Sequence, residues 1–513
     1  MPTLISLIVV IGILTLACLI TVESNLSSVT TNIQSQKAFN IAEAGINYYL
    51  WHLSHSPADY KDGKSTPATP DPKLGYGPYV HNYIDDNAVN EGSFTLWINP
   101  AINSTSVTVT SMGLSDRGLI RTVQAQIGAP SLTSYAVAGD SALWFGNTES
   151  SNGPVHSNQG IRMDGASDSE ISSSNLTYTP SSSLGGDGHS HPGVWCSPSV
   201  TSPVNCNTRP KTDWVYPSTS VDFNSISGDL CGMKKTAFLA NSSTSALAGL
   251  SNACSQTPNT RTNAYLPQRS TSGTYSVSKG YLIELNPNGT YNLSNVNAET
   301  DTRTPYTSAL TLQSVATNIS MPTAGVIFAE DNVWVRSNPT FHGRVTIAAG
   351  RLAQASVNAE IVVADDLLYS TKNGADSIGL VAENSVTIAP YAPPASGSFN
   401  FEVDAAAVAQ TGNVFYPDVY RSDSTSCTRG WVDPNQVFTF YGSVATRQTW
   451  TWTWLVGSHS CGDAAHDSQN GYVSGIEHNS TQYDYNAQFS PPPSFPITST
   501  YNVLSWREIL TRP

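Results

Sequence analysis

The sequence predicts an α+β protein: a long N-terminal helix packed on an antiparallel meander, followed by a mainly β distal region read as a parallel β-solenoid with insertions. Three observations predict it. The first 22 residues are almost wholly apolar and run without a break into an amphipathic stretch. Three short segments of apolar–polar alternation follow, separated by turn residues. Beyond Tyr135, brief β-branched runs recur between Gly, Asn and Asp without clear hairpin turns.

The helix comes first. Pro2 to Val22 contains no charged residue, and its 21 residues are about the length that spans a bilayer. Pro2, Leu4, Ile5, Ser6, Leu7, Val9, Val10, Ile13, Leu14, Leu16 and Ile20 are its candidates for burial in lipid or among neighbouring helices, and Cys18 sits among them as a small hydrophobe. A secretory signal or plain anchor carries basic residues ahead of such a run. Here the first basic residue is Lys37, so the expectation is that a short basic leader has been removed. From Glu23 to Leu53 there is no Pro and one Gly, Gly45. Apolar residues recur at Val29, Ile33, Phe39, Ile41 or Ala42, Ile46 and Tyr49 or Leu50, which is amphipathic spacing. One helix is therefore expected over 1–54.

Residues 55–129 form the expected sheet. His55–Gly77 is rich in Pro, Gly and Asp and reads as a loop. Ser93–Ile98, Ser106–Met112 and Leu119–Ile127 alternate as strands. Such a meander has one apolar face, and the second half of the helix supplies a stripe to cover it.

These features together resemble a type IV pilin. The segment KAFNIAEAGINYYL, with Ala38, Ala42, Glu43, Ala44 and Gly45, resembles the A-x-x-x-A-E-A-G stretch of PilX-like minor pilins. The resemblance implies cleavage just before the apolar run and assembly with other pilin subunits through that helix, after residence in the cytoplasmic membrane. It implies a fimbrial filament outside the cell. Members of the family carry a Glu at the fifth mature position, which pairs with a neighbour's terminal amine. This chain has Ile5 there, then Ser6. The tip pseudopilin of type II secretion systems also lacks that acid, so the departure points to a tip or minor position.

In the distal region, 130–395 is expected to be the solenoid-like head. AGVIFAEDNVWVRS, HGRVTIAAG, AEIVVADDLLYS and SIGLVAENSVTIAP are its clearest repeats, with a β-sandwich as the competing reading. A polar Ser/Cys-rich insertion is expected at about 167–274, and 396–513 is expected to be a C-terminal β-rich decoration. Trp450, Trp452 and Trp454 alternate, which puts all three on one face of a strand. They read as core packing or as a candidate surface- or glycan-binding platform.

Composition bounds the function. At 513 residues the chain exceeds one ordinary core. Its net charge is -14 and no Lys/Arg cluster occurs, which disfavours nucleic acid as a main partner. Six cysteines, Cys196, Cys206, Cys231, Cys254, Cys427 and Cys461, lie in Ser/Thr/Asn-rich surroundings and fit an oxidising, exported compartment. Nearest-neighbour pairing gives 196–206, 231–254 and 427–461 as candidate disulfides, from loop closure alone. His189 and His191 lack partners at ligand spacing, and the run from Asp164 through Asp168 to Glu170 does not match a calcium loop. Asp365, Asp366, Asp376 and Glu383 could line a solenoid face as glycan-active carboxylates, yet no nucleophile or nucleotide motif accompanies them. The reading is a non-catalytic filament subunit with no cofactor and no metal, its head directed at surface or glycan ligands. The alternatives are a secretion pseudopilin, a repeating shaft pilin and a membrane-anchored β-helical glycan-active enzyme.

Overall fold

The computed structural model describes the chain except residues 1, 57–58, 102–105, 129–130, 148, 225, 240–252, 258, 270–279, 301–308, 355–357, 393–399, 418–436, 457–465, 468–470, 477–478, 489, 498–500 and 510–513. The chain forms two compact units: Met1–Ala129 together with Ser499–Pro513, and Pro130–Thr498.

In the first unit, α1 spans Pro2–His55 without interruption. Four strands follow: β1 (Tyr76–Ile84), β2 (Asn90–Pro100), β3 (Ser106–Ser115) and β4 (Ile120–Gly128). They pair antiparallel in sequence order. A fifth strand, Asn502–Ile509, then pairs with β4, with Asn502 opposite Gly128. The three expected strands are present. Tyr76–Ile84 is a further strand, and its first residues belong to the Gly/Pro-rich stretch that reads as loop. Period-two alternation explains the core: Phe94, Leu96, Ile98, Val107, Val109, Val123, Ala125 and Ile127 are buried. Arg121 fastens the fifth strand, with Nη2 donating to Glu508 Oε2 at 2.7 Å and Nη1 to Ser35 Oγ of α1 at 2.8 Å.

The second unit is built from parallel ladders. One runs through Trp214–Val215, Ile171–Ser173, Val155–Ser157, Val137–Gly139, Val437–Thr446, Asn400–Ala409, Ser377–Ala382, Arg344–Ala349, Val326–Ala329 and Tyr265–Leu266. A second runs through Gly280–Leu285, Val333–Ser337, Ile361–Val363, Val386–Ile388, Val414–Phe415 and Trp450–Thr451, also parallel. An antiparallel pair, Thr290–Glu299 and Leu310–Ser320, extends it. Successive turns between the ladders hydrogen-bond upward: Asn384 N–H to Ala359 O, Gly412 N–H to Asn384 O and Gln448 N–H to Gly412 O. A sandwich would join its neighbours by antiparallel hairpins, and these ladders do not.

The first ladder is apolar on both faces. Inward residues such as Val345, Ile347, Ile378, Leu380 and Val403 meet the second ladder. Outward residues, among them Phe328, Ala348, Val381, Ala406 and Ala445, are covered by helix α2 (Ile226–Leu239) and by Phe495. Burial on both faces is why these strands read as continuous apolar runs.

Two expected boundaries do not hold. Residues 396–513 are not a separate decoration: 400–409 and 437–446 extend the ladder, and 502–509 completes the sheet of the first unit. The stretch 167–274 is not apart from the stack either, since 171–173, 214–215 and 265–266 are its rungs. Stacking order also departs from chain order, because Val137–Gly139 lies against Val444–Thr446. The apolar faces decide the neighbours there, and chain separation is a weak penalty.

α2 carries Lys234, whose ammonium forms a buried ion pair with Glu330 and donates to Cys254 O at 3.3 Å. Tyr265 OH donates to the same carboxylate at 3.0 Å. Burial pushes the Glu330 carboxyl above its ordinary range. Lys234→Met removes one partner of a desolvated pair and should cost about 3–5 kcal/mol. Urea unfolding of the second unit reads this, and the defect should shrink in acid, where Glu330 is neutral.

Candidate functional site

From Pro2 to Ile33 no residue of α1 is buried. Leu4, Ile5, Leu7, Val9, Val10, Ile13, Leu14, Leu16 and Ile20 are each more than half exposed. The most apolar 18-residue window has mean hydropathy 2.9 and buries nothing. Such a surface is unstable in water and demands lipid or other apolar helices. Cys18 shares this exposure.

The remainder of α1 has a seat. Gln34, Ala38, Ile41, Ala42, Gly45, Ile46, Tyr49 and Leu53 are buried at helical spacing. The small residues explain how close the helix lies. A Cβ at Gly45 would overlap Ser111 Oγ and sit 2.9 Å from Phe94 Cδ2. A Cβ at Gly113 would overlap Ala38 O and sit 2.5 Å from Ala42 N. Ala38, Ala42 and Gly45 of the motif therefore pack on β2 and β3, while Glu43 and Ala44 are half-buried. Gly113 and Ser111, the sheet's half of the joint, carry no sequence signal beyond being small. Farther along, Tyr48 OH donates to Asp62 Oδ1 at 3.0 Å, and Tyr49 OH donates to Asp59 O at 2.8 Å. These bonds clamp the helix end to the loop behind it.

In the second unit the tryptophan run is not a surface platform. Trp450 and Trp452 are 7% and 2% exposed, with rings 6.1 Å apart, and Trp452 also packs on Phe438 and Phe440. Trp454 Nε1 donates to Tyr416 O at 2.8 Å. Trp450 and Trp452 therefore take the core-packing reading, both in one apolar cluster.

The carboxylates expected along a solenoid face are engaged locally. Asp376 accepts from Gly343 N–H at 2.7 Å and from Thr371 N–H at 2.8 Å. Glu383 accepts from Arg351 N–H at 2.7 Å, and Asp365 lies 3.5 Å from Arg336. Asp366 accepts from Glu402 N–H at 2.9 Å, and burial raises its pKa from 3.8 to about 6. Its contribution to stability is therefore present in acid and lost as pH rises through about 6. Asp366→Asn keeps the acceptor and removes the titration. The stability of the native chain relative to this variant should fall as pH rises from about 4 to about 6, measured by urea midpoints of the second unit.

Cys196–Cys206 and Cys231–Cys254 are disulfides, and Cys427 and Cys461 lie outside the described residues. His191 stacks on Trp195 and bonds Asp187 Oδ1 at 2.8 Å. Among the described residues no group of three or more His, Cys, Asp or Glu is placed to hold a metal ion.

Neither a protein-family model nor a curated protein matches the chain. Among solved structures it is similar to the competence-associated pilin ComZ from Thermus thermophilus, with 12% identity over 93% of this chain and 98% of that one, at a TM-score of 0.27. A score this low leaves the fold to be argued from the chain's own geometry.

Proposed function

We propose that this chain is a structural subunit of a type IV pilus-like extracellular filament, a large minor or tip pilin that serves surface attachment and catalyses no reaction. One observation carries the reading: α1 exposes an uncharged apolar half and seats its other half on an antiparallel sheet through Ala38, Ala42 and Gly45. The PilX-like motif falls on that seat. The parallel ladders are read as a β-solenoid head, and Ile5 in place of an acid favours the tip.

Function then follows from burial. Before assembly the Pro2–Val22 segment sits in the cytoplasmic membrane, with its backbone bonds satisfied inside the helix. On assembly it leaves lipid and packs among equivalent segments of other pilins. Apolar surface is covered in both places, so the transfer costs little. The carboxylates of the ladder face hold turns and neighbouring strands, which supports a head without catalytic groups.

Immunogold labelling of the head on intact cells and sheared filaments tests this. Label at filament ends is expected. Label along whole filaments would make the chain a shaft subunit, and absence from filaments would overturn the reading.

A further inference from the structure

We propose that an open cleft beside Trp144, in the second unit, binds a neutral oligosaccharide. The cleft lies wholly within residues 144–202 and does not depend on assembly. It names a ligand for the attachment role above, yet ligand binding and filament labelling can fail separately.

Two short strands supply its floor, Leu143–Phe145 and Ile161–Met163, and Val194–Trp195 pairs alongside; all are parallel, with Trp144, Arg162 and Trp195 in register. Leu143, Phe145, Ile161, Met163 and Val194 belong to the core, so alternation turns Trp144, Arg162 and Trp195 to the opposite face, where Trp144 and Arg162 line the cleft and Trp195 stays buried under His191. The Arg162 guanidinium lies 4.7 Å from the Trp144 ring centre and 5.3 Å from that of Trp195. Arg162 Nε donates to Asp164 Oδ2 at 2.7 Å, and Trp144 Nε1 donates to the same oxygen at 3.1 Å. Trp144 is thereby fixed in plane by a stacked cation and an edge-on hydrogen bond.

The facing wall is a polar loop. Ser199, Thr201 and Ser202 line it together with the apolar residue Val200, with Asn147 beside them, around a volume of ≈ 370 Å³. Cys196–Cys206 closes this loop covalently, and Ser197 N–H donates to Asp164 Oδ1 at 2.8 Å. The wall is therefore tied to the floor before any ligand arrives, which lowers the ordering cost of binding.

The chemistry selects a class. A held indole plate takes the apolar C–H face of a sugar ring, and amide and hydroxyl groups take its hydroxyls. The two charges neutralise each other, with side chains 12% and 2% exposed, so the site offers no net attraction to phosphate or to an acidic chain. An open cleft suits a segment of a longer polymer better than an enclosed apolar ligand.

The test is calorimetric titration of the full chain, in a zwitterionic detergent that carries no sugar, with chitotetraose, cellotetraose and maltotetraose. At least one is expected to bind with a dissociation constant on the order of 1 mM or tighter. Trp144→Ala should weaken that binding about tenfold or more. Thr201→Arg places a long side chain from an exposed rim position into the cleft, and should abolish binding while leaving the unfolding transition in place. Failure of all three sugars at about 10 mM, or unchanged binding by either folded variant, overturns the proposal.

Discussion

Replacing Gly113 by leucine is expected to lift α1 from its sheet. No rotamer rescues this position, because even the first side-chain carbon meets helix backbone at Ala38 and Ala42. Backbone cannot step aside as a flexible side chain can, so the cost should exceed the usual range for overpacking, at about 3 kcal/mol or more. That is a large fraction of the stability of a unit this size. Scanning calorimetry of the detergent-solubilised chain should show the first unit's transition lowered or lost, with the second unit's unmoved. Gly12→Ala is the control, since a Cβ there meets nothing within 4 Å. An unchanged first transition in Gly113→Leu would mean that the helix seat is not as close as described.

Excising residues 129–501 and joining Gly128 to Asn502 by a short Asn-Gly-containing turn should leave the first unit folded. Gly128 and Asn502 already face each other across an antiparallel ladder, so a tight turn can close it. Exchanging a very long connection for a short one also lowers the loop-closure cost. The excised protein should retain the Phe39–Trp506 edge contact, at 5.7 Å between ring centres, and the Arg121–Glu508 pair. Nuclear magnetic resonance of the Trp506 indole reports the first of these. Collapse of the sheet would show that the pairing of Asn502–Ile509 with β4 depends on residues 130–498.

Much of the fold was legible because local pattern and global burial agree. α1 declares itself through uncharged length and then through period-3.6 spacing, and the ladder strands through β-branched runs that match burial on both faces. The rest required partners distant in sequence. The strand Asn502–Ile509 alternates weakly, and its neighbour lies more than 370 residues earlier. The pairing of Val137–Gly139 with Val444–Thr446 has the same cause. Ala38, Ala42 and Gly45 form a motif in sequence, while the reason for their size lies on another element, with Gly113 against Ala38 and Ala42 and Ser111 against Gly45. For the tryptophans, alternation says that Trp450, Trp452 and Trp454 share a face and not which face is inside. Trp144, Arg162 and Trp195 carry no sequence signal because each stands alone in its own segment, and only register brings them together.

The pairing of β4 with Asn502–Ile509 has a mechanical consequence. The polypeptide leaves the sheet at Gly128 and returns at Asn502, and the two residues are register partners. Any tension drawn through residues 130–498 thus reaches the sheet at two adjacent points on one end of neighbouring strands. The part of that tension directed along the strands loads their rungs of hydrogen bonds together in shear, whereas peeling would break them one at a time. Arg121, bonded to both Glu508 and Ser35, links this doubled handle to the helix. Along that direction the sheet would have to lose a set of bonds at once rather than one after another.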